Sequence, residues 1–448
     1  MADSPRILIV GGGCVGMYTA LRLQKKLRRG EATVTVVDPQ NHMTYQPFLP
    51  EAAAGSVEPR HVVVPLRRVL RGCRVLTGTV TGIEHAHKVA KLQPLEGEPW
   101  EVPYDVLVVA PGSVARTLPI PGLAEVGIGF RTIGEAIYLR NHVLSRLDFA
   151  ASTSEEQRRR KALSFVFVGG GYAGIEAFAE LEDMARYATR YYDEVSPADL
   201  RWVLVEAAGR ILPEVSLKLA DYTVQQLLRR GMDIRLNTRV TGLTDGHVVL
   251  SDGEEFDAET VVWTAGVRAN PMLARTDLPL DPKGRLVCTP ELQVRDTPGV
   301  WSAGDSAAVP DLTRLGKDPD ALTSPSAQHA VRQAKRLADN IVASLRSRRL
   351  KPYRHAYAGS VASLGLHKGV AEVYGVKVRG VLAWFMHRTY HLSRIPTLNR
   401  KVRVVADWTL ALFFRREVVS LGQVQQPRRE FELAALPPDT KVELPTGT

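Results

Sequence analysis

Arg6-Ile7-Leu8-Ile9-Val10-Gly11-Gly12-Gly13-Cys14-Val15-Gly16 stands almost at the start of the 448-residue chain. Its apolar run, Ile7 to Val10, suits a strand buried on both faces, and a G-x-G-x-x-G turn follows without a spacer. In such a turn the first glycine permits the bend, the second lets a pyrophosphate approach the backbone, and the third lets helix pack on strand. The helix N-terminus then offers its free NH groups to an anion. One glycine turn is weak, because ordinary α/β domains contain them. Working outward, Val34-Thr35-Val36-Val37 forms a second strand ending in Asp38, an acid placed to hydrogen-bond a ribose hydroxyl. Gly11, Gly13, Gly16 and Asp38 are therefore candidate dinucleotide-binding residues.

The unit recurs in the middle of the chain. Phe165-Val166-Phe167-Val168 leads into Gly169-Gly170-Gly171-Tyr172-Ala173-Gly174, a helix is expected over 175–191, and Trp202-Val203-Leu204-Val205 ends in Glu206. Two such units are far harder to meet by chance than one, so two dinucleotides are expected, the second held by Gly169, Gly171, Gly174 and Glu206. An acid at Glu206 favours a free 2′-hydroxyl and thus NADH over NADPH, with Arg201 and Arg210 nearby as the counter-indication. Glu176 follows the second turn closely. It is either an acid suited to a helix N-terminus or a carboxylate beside the reacting nicotinamide.

Between and after these units, 41–52 is polar, aromatic and proline-punctuated, too irregular for helix or strand and of the kind that lines sites. Tyr104 to Gly112 gives another buried strand and glycine turn, while 116–122 suits a crossing strand or hinge. Thr264-Ala265-Gly266-Val267 suits a return to the first domain, Val300 to Asp305 a short strand, turn and acid, and 327–345 a helix carrying Gln328 and Arg332. The net charge of +10 favours anionic partners, although a generally basic surface explains it equally well. Only Cys14, Cys73 and Cys288 are present, in no C-x-x-C pair, which argues against a disulfide scaffold, a metal cluster or a dithiol centre. No signal peptide precedes the first strand and no apolar run is long enough to span a bilayer, so a cytoplasmic protein is expected.

The order of these motifs resembles the two-dinucleotide flavoprotein reductases, and more narrowly the type II NADH dehydrogenases. The carrying residues are the two glycine turns, Asn41-His42, Val109-Ala110-Pro111-Gly112, Glu176, Trp263-Thr264-Ala265-Gly266 and Ala303-Gly304-Asp305. The resemblance implies an α/β fold of two Rossmann-like domains, the NAD domain inserted in the FAD domain, plus a C-terminal amphipathic helical extension. The expected divisions are 1–115 and 286–350 for the FAD domain, 116–285 for the NADH domain and 351–448 for the extension. The resemblance further implies FAD on Gly11, Gly13, Gly16, Asp38, Ala110, Asp305 and Ala327, NADH on the second turn with Glu176 near both rings, and a quinone near Gln328. The family's quinone-side pattern has a second glutamine four residues after the first. Here that position is Arg332, with Gln333 beside it, and arginine donates hydrogen bonds but never accepts them. Pro111 is a lesser departure.

Val381, Trp384, Phe385, Leu392, Ile395, Val402, Val405, Trp408 and Leu412 recur at helical spacing among Arg388, Arg394, Arg400, Lys401, Arg403, Arg415 and Arg416. That pattern suits either a peripheral membrane helix pair at the inner face of the cell membrane or a pair packed on the FAD domain or forming a homodimer. No nucleic-acid partner is expected. Three functions remain open at this point: an NADH:quinone oxidoreductase without proton pumping, a soluble flavin reductase for another acceptor, and an NADH-sensing flavoprotein.

Overall fold

The computed structural model describes residues 4–421 apart from 315, 317, 356–358 and 415, so Arg415 lies outside the described residues. The first apolar strand, Arg6–Val10, sits in the middle of a seven-stranded sheet. Its neighbours on one side are Val106–Val109 and then Val300–Ser302, and on the other Thr33–Asp38 and Arg74–Glu84, all parallel. A hairpin, Val89–Pro94 and Trp100–Pro103, finishes that edge antiparallel. Burial on both faces explains why Ile7 to Val10 carry no polar alternation. Helix α1 (Cys14–Lys26) leaves the first glycine turn, and a short helix α2 spans Leu49–Ala53.

The second unit builds its own parallel sheet in the order Gly127–Gly129, Thr260–Trp263, Ser164–Val168, Arg201–Glu206, Asp233–Leu236. Helix α3 (Ile133–Ser152) starts on a capping box between Thr132 and Glu135. Helix α4 (Tyr172–Ala188) leaves the second glycine turn and carries Glu176. A two-stranded ribbon, Ser113–Ala115 against Val267–Ala269, joins the units and supplies the crossing expected slightly later in the chain. Met272, Leu273 and Leu278 already pack in the first core, ahead of the boundary expected at 285.

Helix α5 (Ala327–Leu345) returns to pack along α1, where Arg22 grips Asp339 at 2.7 and 2.6 Å. A three-stranded antiparallel sheet, Gly359–Ser363, Gly369–Val373 and Val376–Arg379, then leads into α6 (Gly380–Arg394) and α7 (Leu398–Phe413). Two sequence expectations are corrected here. The 41–52 segment is not irregular throughout, because Pro50 falls in the first turn of α2, where its missing NH costs nothing. Trp384 and Trp408 do not face outward, since Trp384 is buried and Trp408 packs on the first core. The outward row is instead Val381, Leu382 and Phe385 on α6 and Leu398, Val402, Val405, Leu410, Leu412 and Phe413 on α7. No helix among the described residues is long and apolar enough to cross a membrane.

Candidate active site

The two glycine turns are built alike down to single hydrogen bonds. In the first, Gly11 has φ +99°, and a Cβ there would lie 2.2 Å from the Ala110 carbonyl oxygen. In the second, Gly169 has φ +116°, and a Cβ there would lie 2.8 Å from the Thr264 backbone. Gly13 and Gly171 each face open space, with nothing within 4 Å of where a Cβ would stand. That gap leaves the backbone NH groups at the starts of α1 and α4 approachable by an anion.

Asp38 accepts from Gly12 N at 2.6 Å and from Gln40 N at 2.7 Å. Glu206 accepts from Gly170 N at 2.5 Å and from Ala208 N at 2.7 Å. Each carboxylate is thereby aimed beside its own turn while its oxygens keep further lone pairs for a hydroxyl donor. Burial outweighs the two NH donors at Asp38 and holds its carboxyl above the usual value. The arginines near Glu206 are both engaged. Arg201 bonds Glu254 at 2.6 Å and lies over the Phe256 ring, and Arg210 donates to the Leu212 and Val215 carbonyls.

At the far end of the first sheet Asp305 accepts from Ser113 Oγ at 2.6 Å, and Arg131 donates to that same Oγ at 2.9 Å. The backbone of this turn is held by Gln333, whose Oε1 accepts from Gly304 N at 2.7 Å while its Nε2 donates to Thr323. Gln333 is fully buried, so it cannot replace the glutamine missing at 332. Gln328 and Arg332 do come together, one turn apart on α5: the guanidinium donates to the Gln328 carbonyl at 3.1 Å and reaches its Oε1 at 3.5 Å. Gln328 Nε2 donates to the Gly359 carbonyl at 3.4 Å. Ala327 opens the helix, with Ser326 capping it through His329 N.

Glu176 is 6 % exposed. Its Oε1 accepts from Ser363 N at 2.9 Å and ion-pairs with His387 Nε2 at 3.0 Å, so the C-terminal region closes directly over the second helix. Burial opposes a charge on His387, but the carboxylates of Glu176, Glu51 and Glu180 outweigh it and hold the imidazole above its usual value. Glu180, which accepts from Ser363 Oγ at 2.7 Å, is pushed up by burial and then by Glu51. Glu51 in turn accepts from Trp408 Nε1 at 2.8 Å and pairs with Arg388 at 3.3 Å, and that guanidinium lies between the Trp384 and Trp408 rings. His391, half-buried and held well below its usual value by burial and then by His387, links His387 to the Tyr45 hydroxyl at 3.1 Å.

The sequence singled out Glu176 but did not point to Glu51, Glu180, His387 and Arg388 as its surroundings. The advance signs were the 41–52 segment, which contains both Tyr45 and Glu51, and the C-terminal pattern, which named Arg388, Trp384 and Trp408 without placing them here. The cysteines take no part: all three are free, and burial followed by the charge of Asp305 pushes the Cys14 thiol up to about 11, far from a reactive thiolate.

Residues 5–334 match the pyridine nucleotide-disulphide oxidoreductase family, and the chain belongs to it. Residues 357–417, which include Ser363, His387 and Arg388, match the NDH2 C-terminal domain, and this places the chain among the type II NADH dehydrogenases. The type II NADH:quinone oxidoreductase of Mycobacterium tuberculosis is 28 % identical over 426 residues, covering 92 % of this chain and 89 % of that protein. The demethylphylloquinone reductase of Synechocystis is 29 % identical over 420 residues, covering 91 % and 96 %. The solved structure of NDH2 from Plasmodium falciparum in complex with NADH superposes with a TM-score of 0.85 at 16 % identity, over 93 % of this chain and all of that one, and so shares its fold.

Proposed function

We propose that the protein is an FAD-dependent NADH:quinone oxidoreductase. The observation that carries this reading is the duplicated cradle, two glycine turns each with its own carboxylate, closed by a matched C-terminal domain that touches Glu176. Gly11, Gly13, Gly16, Asp38, Ala110, Asp305 and Ala327 would hold FAD; Gly169, Gly171, Gly174 and Glu206 would hold NADH. The open space at Gly13 and Gly171 fits a pyrophosphate at each turn. When bound, FAD supplies the redox chemistry, taking a hydride from NADH and passing two electrons on.

The chain's own residues then have separate tasks. The N-termini of α1 and α4 bind phosphates, and Asp38 and Glu206 fix the riboses. Glu176 and His387 form a buried ion pair in a pocket that α2, α4 and α6 keep from water. Gln328 and Arg332 present amide and guanidinium donors to a carbonyl-bearing acceptor, which suits a quinone even though Arg332 accepts nothing. A cleft of about 350 Å³ borders Val331 and Lys335 on the same helix and Ser393 to Leu398 between α6 and α7. Peripheral membrane association through the exposed row on α6 and α7 belongs to the same reading, and a second copy forming a homodimer would compete for that row.

Anaerobic assays with a short-chain quinone are expected to consume NADH mole for mole with quinone reduced. With both nearby arginines engaged, NADPH is expected to be poorer in kcat/KM by about 100-fold, because its 2′-phosphate meets the Glu206 carboxylate. Glu206→Gln should narrow that gap. Absence of quinone reduction with either nucleotide would refute the assignment.

A further inference from the structure

Glu180 stands on α4 one turn beyond Glu176 and is more deeply buried. The acids around it each have a cation. Glu176 pairs with His387 at 3.0 Å and Glu51 with Arg388 at 3.3 Å. Glu182 takes Arg186 at 2.5 Å and Arg230, and Asp183 takes Arg230 at 2.9 Å and Lys368 at 3.5 Å. Glu180 makes no ion pair among the described residues. Arg416, whose charge does bear on it, donates to Ser56 Oγ at 3.0 Å, Arg140 of α3 donates to the Glu417 carbonyl, and burial keeps His391 from carrying a charge. A buried carboxylate without a counter-ion is too costly to keep, and such a group holds a proton instead.

The unpartnered atoms of the pocket show where that proton sits. Glu180 Oε1 accepts from Ser363 Oγ at 2.7 Å, whereas its Oε2 is buried with no hydrogen-bond partner among the described residues. Glu51 is arranged the same way: its Oε2 takes Trp408 Nε1 and Arg388, and its Oε1 is buried without a partner. Helix α2 packs on α4, and after burial the charge of Glu51 is the largest influence raising the Glu180 carboxyl above its usual value. One proton on Glu180 Oε2, donated toward Glu51 Oε1, removes the uncompensated charge and gives both oxygens a partner. His387 Nδ1, Trp384 Nε1 and Arg388 Nε are also buried without partners, which is enough polar lining to hold ordered water.

We infer that Glu180 and Glu51 share one proton, directly or across one water, and that turnover draws on it. NADH, a quinone and one proton give NAD+ and a quinol, so each cycle takes up one proton beyond the hydride. Glu180 loses the proton, an oxygen of the acceptor gains it, and a proton from solution refills the carboxyl. This use of the proton rests on the quinone reading above; its place between the two carboxyls does not. Glu180 is thereby a proton-holding residue behind Glu176, not a group that touches substrate.

The test uses flavin-loaded protein and two variants. Glu180→Gln keeps the shape of a neutral acid but has no proton to give, and Glu180→Asp keeps the acid. Infrared difference spectra between mildly acidic and alkaline pH should show, in the wild type, the carbonyl stretch of a protonated carboxyl that heavy water shifts, and should lack it in Glu180→Gln. Because the folded pKa of Glu180 is raised above the usual 4.5, its stabilising contribution is full below 4.5 and is lost as pH rises through the folded value. Glu180→Gln should therefore gain on the wild type in urea unfolding as pH climbs from 4.5. With NADH its flavin should bleach as fast as wild type, then reoxidise about 100-fold more slowly with a short-chain quinone, and Glu180→Asp should recover part of that rate.

No such band in the wild type, or one that persists in Glu180→Gln, would overturn the shared proton, and the wild-type band is read even where a variant fails to fold. Unchanged reoxidation in Glu180→Gln would overturn its use in turnover. A wild type that shows the band yet reduces no quinone refutes the quinone reading and upholds the shared proton.

Discussion

Gly16→Ala is expected to yield protein that purifies with little flavin, whereas Gly174→Ala is expected to keep its flavin and lose rapid reduction by NADH. A Cβ at Gly16 would stand 1.7 Å from the Gly11 carbonyl oxygen; one at Gly174 would stand 2.0 Å from the Gly169 carbonyl oxygen and 2.6 Å from Thr264 Oγ1. The two carbonyl clashes are with backbone, so no rotamer change relieves them, and each glycine turn must open. Overpacking of this kind costs about 1–3 kcal/mol, a loss of roughly 5- to 150-fold in affinity where the strain falls on the binding turn. The two turns belong to different sheets, so the effects should separate. The ratio of flavin to protein absorbance and the rate of flavin bleaching by NADH read them independently. Loss of flavin in both variants would mean that the two cradles are not separate sites.

The second large effect centres on Glu176. Glu176 and His387 are 6 % and 1 % exposed and 3.0 Å apart, so removing the carboxylate leaves an imidazolium without its nearest counter-charge. Breaking a buried pair in this way costs about 3–5 kcal/mol. The sign with pH follows from His387. Because its folded pKa is raised above the ordinary 6.5, its stabilising contribution is full below 6.5 and is lost as pH rises through the folded value. Glu176→Gln should therefore be much less stable than wild type at acid pH and approach it at alkaline pH. His391, on the next turn of α6, and Arg388 and Glu51 beside it share the pocket and remain in both proteins. Chemical unfolding of flavin-loaded protein on both sides of neutrality measures the gap, and a gap that does not narrow with rising pH would contradict the pairing. At any pH the variant is expected to lose turnover by about 100-fold if the pair handles a proton in the reaction.

The contrast between what was legible in the chain and what was not has a physical origin. A glycine turn is local: six residues of backbone sterics decide it, and the carboxylate that completes it ends the next strand. Gly11 to Gly16 with Asp38, and Gly169 to Gly174 with Glu206, could be read for that reason. The pocket over Glu176 is assembled from contacts such as Trp408 with Glu51, 357 residues apart, and Ser363 with Glu176, 187 residues apart. No local periodicity encodes them.

The C-terminal helices show a second limit. Their apolar residues make two faces, and spacing alone does not say which one turns inward. Trp384 and Trp408 turn inward, where their rings lie beside Arg388, itself paired with Glu51, and Trp408 packs on the first core. The outer face is left to residues such as Phe385 and Leu412. The departure at Arg332 was visible in the chain, but its consequence needed the structure: Gln333 is already committed to Gly304, and Arg332 itself rests against Gln328.

The central claim, that one flavin joins a nicotinamide cradle to a quinone-facing helix, is tested most directly by anaerobic stopped-flow absorbance of the wild-type protein. It is mixed first with NADH and then with a short-chain menaquinone or ubiquinone analogue in detergent. The account predicts rapid bleaching of the flavin by NADH and its rapid return on addition of quinone. Rapid bleaching with no return would contradict it, leaving a protein that takes electrons from NADH but does not pass them to a quinone.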